Sequence, residues 1–122
     1  MKIILKDKTE LPIIMVNGAK PFCKGSVREG LEFVFRSSEV NYDNLRTLLR
    51  NETNTEEITI VTDNKEQFTH SDYSIDAGFL EKPVVVEPST PDTPEQTEYR
   101  IFATLGQFTY LEKQMKKIGI QV

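Results

Sequence analysis

A single histidine and a single cysteine bound the chemistry open to this 122-residue chain. His70 is followed two positions later by Asp72. On a strand that spacing puts imidazole and carboxylate on one face, where the carboxylate can orient a base that works near neutral pH. The same spacing also describes an ordinary surface pair on a half-exposed strand, and that is the reading adopted. Cys23 adjoins Lys24, a cation that favours thiolate, but the chain holds no second histidine to serve as its base. Asp63, Asn64 and Glu66 offer oxygens of the kind calcium takes. The D-x-[DN]-x-[DN]-G spacing is missing, and a hairpin turn accounts for them without an ion. One Cys and one His do not close a zinc site. Gly18, Gly25 and Gly30 match neither a P-loop nor a dinucleotide fingerprint, and Ser26 lacks a nucleophile elbow. The residues therefore describe a protein that is not an enzyme and carries neither cofactor nor metal.

The charge is concentrated in one place. Residues 87–98, E-P-S-T-P-D-T-P-E-Q-T-E, contain three prolines and the four acids Glu87, Asp92, Glu95 and Glu98, with no base. The chain has 15 basic and 19 acidic residues, so outside this segment the two signs balance. Proline fixes φ and withholds a donor, so the segment is expected to stay out of helix and sheet ladder. It reads as an exposed loop, or as a tether to a final strand and helix. A pI near 5.1 argues against nucleic-acid binding. Lys113, Lys116 and Lys117 read as the solvated face of a helix, near its negative end. No apolar run approaches the ~20 residues needed to span a bilayer. The opening M-K-I-I-L is too short for a signal peptide, and a lone cysteine fits synthesis in the cytoplasm.

The elements that must carry these residues form one domain of α+β class, mainly antiparallel β with two short helices. Lys2 to Lys6 and Leu11 to Val16 read as a hairpin, and residues 17–30 as a loop or irregular edge. Leu31, Phe33 and Phe35 alternate with Glu32, Val34 and Arg36, a strand with one well-buried face. Tyr42, Leu45, Leu48 and Leu49 share one side of a helix near 41–50, with Asn41 as N-cap. Ile58 to Thr62 and Glu66 to His70 form a second hairpin. Tyr73, Ile75 and Ala77 continue as strand, Gly78 marks a bulge, and Val84 to Val86 suit an edge. After the acidic segment, Tyr99 to Leu105 reads as a strand. Thr109 and Glu112 form a capping box for a helix over 109–118, closed by Gly119. The pattern predicts seven or eight strands, and either a barrel or a sandwich satisfies it.

Several segments together resemble small proteins encoded in the tail modules of phages and prophages of Gram-positive bacteria. They are the opening M-K-I-I-L-K-D-K-T-E-L-P-I, L-E-F-V-F-R with the D-N-L-R-T-L-L helix, E-E-I-T-I-V-T-D, D-Y-S-I, and the Pro-rich stretch before T-Y-L-E-K-Q-M. The resemblance is one of layout over most of the chain. It implies a structural or assembly role in which β-rich surfaces dock other virion proteins; a homo-oligomer is a further expectation, and charge and hydropathy leave no nucleic acid and no membrane among the expected partners. Protein contacts are expected at four places. Val84, Val85 and Val86 offer an edge for strand addition. Asp92 and Glu95 could order against a basic neighbour. Phe102 lies opposite Tyr99, Ile101 and Leu105, and two-sided burial of that strand is the preferred account of it. Leu111 and Met115, with Phe108 and Ile118, are expected to cover the protein's own sheet, although a tether would let the helix swing to a partner. The competing reading is a soluble adaptor or inhibitor that engages a basic partner through its acidic loop.

Overall fold

The computed structural model describes residues 1–119. It is mainly antiparallel β with short helices. Two open four-stranded sheets turn their apolar faces onto one core. In the first, β1 (Lys2–Leu5) lies between β2 (Glu10–Pro12) and β7 (Glu57–Val61), and β8 (Gln67–Ser71) forms the far edge. In the second the order is β3 (Met15–Ala19), β6 (Gly30–Arg36), β10 (Gln96–Gly106) and β9 (Ile75–Glu87). A small hairpin, β4 (Phe22–Cys23) with β5 (Ser26–Val27), stands apart.

The expected single strand over Leu11 to Val16 is split between the two sheets. The Ile13 N–H donates to the Met1 carbonyl (3.1 Å) and the Ile14 N–H to the Val34 carbonyl (2.7 Å), so consecutive residues pass the chain from one sheet to the other. Ile13 is buried at the crossing. Residues 17–30, expected as loop, hold the end of β3 and the β4–β5 hairpin, where Lys24 and Gly25 supply the left-handed turn. With these short pieces the described residues contain ten strands rather than seven or eight.

Alternation builds the core. Ile3 faces Ile60 and Leu5 faces Ile58 in the first sheet, while Phe33, Phe35, Ile101, Ala103 and Leu105 line the second. Helix α1 (Tyr42–Arg50) adds Leu45 and Leu49. Burying each large side chain contributes roughly 1.5–3 kcal/mol. Asn41 caps α1 as expected, its Oδ1 accepting from the Asn44 N–H at 3.0 Å. The helix lies along β9, with Tyr42 OH donating to the Phe79 carbonyl (3.3 Å) and Arg50 Nε 2.8 Å from Asp76 Oδ2. Asn51 ends α1. It also caps a second helix, α2 (Glu52–Thr55), whose Thr55 hydroxyl donates to Ser74 Oγ at 2.8 Å in the interior.

The segment 87–98 is no tether. It is the tip of the β9–β10 hairpin, and Glu87 and Gln96 to Glu98 join the ladder. The three prolines confine the loop to residues 88–95. Helix α3 (Tyr110–Lys117) then follows β10, opened by the Thr109–Glu112 capping box. It buries no side chain of its own, although Phe108 just before it is 2% exposed.

Candidate functional site

The β9–β10 hairpin outgrows its sheet. Strand β6 reaches Arg36, which faces Arg100, so Gln96 to Tyr99 have only β9 as ladder neighbour. Pro83 to Glu87 and Gln96 to Tyr99, with loop 88–95, therefore form a two-stranded arm. Such a ribbon has little stability of its own and no face to hide its side chains. Val85, Val86 and Tyr99 are exposed, Tyr99 by 60%. Val86 is the extra residue of a bulge, because Gln96 faces Glu87 while Thr97 faces Val85. The Tyr99 carbonyl accepts from the Ser37 N–H (3.0 Å) and so turns away from β9. The missing donor of Pro83, its ladder partner, consequently falls on the free edge, where it costs no bond. That proline and the flanking Glu81 and Glu87 also make the edge a poor template for strand addition.

Charge is graded along the arm. At its root Glu98 Oε1 lies 2.8 Å from Arg100 Nε and 3.4 Å from Arg36 Nε. At its tip no described cation lies within ion-pair distance of Glu87, Asp92 or Glu95. The loop between them is tied locally: the Thr93 N–H donates to the Thr90 hydroxyl (3.0 Å), and the two hydroxyls lie 2.6 Å apart.

The other end of β10 is built differently. Gly30 and Gly106 face each other across the ladder, and a Cβ on either would strike Pro21 or Arg28, so these glycines let the β4–β5 flap lie against the sheet. Beneath the flap Arg28 is buried. Its guanidinium donates to the Cys23 and Gln107 carbonyls (both 3.2 Å) and to Glu112 Oε1 at 2.6 Å. That last bond holds the Glu112 carboxyl below its usual pKa. The same carboxylate accepts from the Thr109 N–H at 2.8 Å, so one residue both caps α3 and pins it. Lys113 and Lys116 make looser contacts, 3.9 Å to Asp72 and 3.6 Å to Glu52.

This inverts the expected packing of α3. Glu112, Lys113 and Lys116 reach the body, while Tyr110 (78% exposed), Leu111 (67%) and Ile118 stand outward and Met115 is half-buried. The buried arginine decides the orientation, since an unpaired buried guanidinium costs more than an exposed leucine. Phe22 and Val27, a register pair on the flap, are exposed too, and Val27 and Tyr110 line one open cavity of about 430 Å³.

The structure thus divides the eight residues expected at contacts among three places. Val84, Val85, Val86, Asp92 and Glu95 share the arm, with Val84 half-buried. Leu111 and Met115 lie at the opposite end. Phe102 is half-buried on the outer face of the second sheet, under the Lys82 ammonium at 4.7 Å from the ring centre. There Met15, Val34, Phe102 and Leu80 form one apolar row across four strands. Tyr99 was grouped by alternation with the buried Ile101, but the ending of β6 exposes it. Sequence reasoning misses Tyr110, Phe22 and Val27, and no local signal marks them, since Phe22 stands between Pro21 and Cys23 and Tyr110 beside Leu111.

His70 and Asp72 do not share a strand face. Asp72 has φ +64, which breaks the alternation, and its carboxylate turns to Lys113, while His70 stands edge-on to Tyr73 at 5.7 Å between ring centres. Among the described residues no three His, Cys, Asp or Glu side chains are grouped to hold a metal ion, and no helix is long and apolar enough to cross a membrane. Comparison with protein-family models, with curated proteins and with solved structures finds no match for this chain.

Proposed function

We propose that this chain is a non-enzymatic structural or assembly protein of a phage-like tail, synthesised in the cytoplasm and working through protein–protein contacts. The observation that carries the reading is the arm: a two-stranded ribbon that runs past the third strand and exposes Val85, Val86 and Tyr99. Apolar side chains on a ribbon with no second layer have their partner elsewhere. The layout resemblance to tail-module proteins supplies the setting.

The test is made on particles. Replacing residues 85–97 by Asn-Gly closes the hairpin on the Val84–Glu98 pair while removing the arm's tip. Wild-type protein is expected at fixed stoichiometry in purified tailed particles, and the shortened chain is expected to be missing from them. If wild-type protein is absent from the particles and their tails form normally with the shortened chain, the tail reading fails. The unpaired acids Glu87, Asp92 and Glu95 favour a second reading, a soluble adaptor or inhibitor that docks a basic partner. That reading predicts an affinity that falls steeply with salt and is lost when those three are neutralised.

A further inference from the structure

The ends of β10 complement each other. From Pro83 to Tyr99 the arm carries four carboxylates and no base. The flap and α3, residues 20–29 and 109–118, carry Lys20, Lys24, Arg28, Lys113, Lys116 and Lys117 against Glu29 and Glu112. Those two acids are committed within the set, Glu29 to Lys20 and Glu112 to Arg28; Lys113 and Lys116 lean loosely on Asp72 and Glu52 (3.9 and 3.6 Å), and Lys24 and Lys117 have no described carboxylate within ion-pair distance. Each end also exposes apolar side chains: Val85, Val86 and Tyr99 on the arm, and Phe22, Tyr110 and Leu111 opposite. The 11 residues of β10 hold the ends roughly 33 Å apart, at ~3.3 Å per residue, so one copy's arm cannot fold back on its own far end.

We infer that the occupant of the arm is a second copy of this chain, which receives it against the flap and α3 in a head-to-tail contact. This rests on the reading of the arm as a contact surface, and its test needs no particle. Symmetric contacts fail on charge. Two arms side by side bring acid to acid, and antiparallel pairing of β9 with itself about Val84 sets Glu81 against Glu87. Two far ends bring lysine to lysine. Only the arm of one copy on the far end of another joins opposite signs around apolar centres. A contact between two different patches repeats, so it closes into a ring or continues as a filament according to the rotation between copies.

Two charge-reversed variants test this in purified protein. One carries Glu87→Lys, Asp92→Lys and Glu95→Lys, the other Lys113→Glu, Lys116→Glu and Lys117→Glu. Wild type is expected to exceed 14.0 kDa by light scattering in low salt, with mass rising with concentration and falling with added salt. Each variant alone should associate about 100-fold more weakly. Mixed in equal amounts, they should associate again, because the acidic arm of the second fits the basic end of the first. A Lys113→Gln, Lys116→Gln, Lys117→Gln variant gives the same loss should the reversed set not fold. Contact geometry is read separately. A spin label on Lys24→Cys, in a Cys23→Ser background, should broaden the Val85, Asp92 and Glu95 amides of an unlabelled-cysteine, isotope-labelled copy. Wild type that stays at 14.0 kDa, variants that associate alone, or a mixture that stays monomeric would each overturn the inference. None of those results bears on incorporation into a particle.

Discussion

Strand β10 is two strands in one. From Ile101 to Gly106 it runs between β6 and β9, and Ile101, Ala103 and Leu105 are fully buried. From Gln96 to Tyr99 it has one ladder neighbour, and Tyr99 is 60% exposed although it shares a face with Ile101. The outer half is the more polar, but Tyr99 and Ile101 are both large, largely apolar side chains on one face, and what separates them is the number of neighbouring strands. The inner half of the hairpin maintains the fold, and the outer half is supported by it. A residue's contribution should therefore follow its position relative to the end of β6, and not its hydrophobicity.

The largest effect should come from the inner half's own partners. Phe33, fully buried and facing Ala103, should cost about 4 kcal/mol when changed to Ala, read as a lower denaturant midpoint at unchanged slope. The equivalent change at Tyr99 should cost less than about 1 kcal/mol. Similar losses at the two positions would erase the distinction between the halves.

Next comes the pin at the far end. Glu112→Ala leaves Arg28 buried without its carboxylate and removes half of the capping box of α3, an expected loss of about 2–3 kcal/mol. The pin is also pH-dependent. Arg28 depresses the Glu112 pKa in the folded state, so the stabilisation is complete above the unfolded value, ~4.3, and is lost as pH falls through the lower folded one. The gap in thermal midpoint between wild type and Glu112→Gln should narrow on acidification below about pH 4. A gap that is constant with pH would mean that the carboxylate is not the pin.

A smaller effect sharpens how the flap is seated. Gly30→Ala would put a Cβ 2.6 Å from Pro21 Cδ and 3.1 Å from the Leu105 carbonyl. The proline has to move, at a cost of about 1–2 kcal/mol, with amide shifts expected over residues 20–28 and not in the arm. Shifts that reached Val85 would show the two ends to be coupled through β10.

What the sequence made legible was whatever depends on near neighbours. Asn41 and Thr109 cap the helices they were expected to cap, Gly78 lies at a bulge, and the period of two located β6 and β7. Long-range facts were hidden. Nothing local says that β6 stops at Arg36, so the exposure of Tyr99 could not be read. Nor does α3 announce that it will turn its leucine outward, because Arg28, 84 positions from Glu112, decides that. Of the two readings of the acidic segment, exposed loop or tether, the loop is the one the hairpin realises, but Glu87 and Gln96 to Glu98 join the ladder from which the segment is expected to be excluded. Its prolines lie at 88, 91 and 94, all between the strands, and the threonines and glutamates at its margins pair freely.

The smallest expected effect on stability is the most informative for function. Val85→Glu adds a carboxylate to a side chain that is already 51% exposed, on a ribbon whose opposite position, Thr97, is uncharged. No buried contact is lost and no cavity is opened, so the unfolding free energy should move by less than about 0.5 kcal/mol. A contact with Val85 at its apolar centre would nonetheless have to desolvate the new charge against Phe22, Tyr110 or Leu111, away from the lysines at the rim. Association should then fall by about 100-fold or more, measured by light scattering beside an unchanged melting curve. The control is Glu81→Gln, which lies at the root of the arm, is exposed and changes the charge by one in the opposite sense. It should leave both measurements in place. If Val85→Glu lowers stability as Phe33→Ala does, the outer half belongs to the fold after all. If it alters neither stability nor association, the apolar arm is not the surface by which this protein meets others.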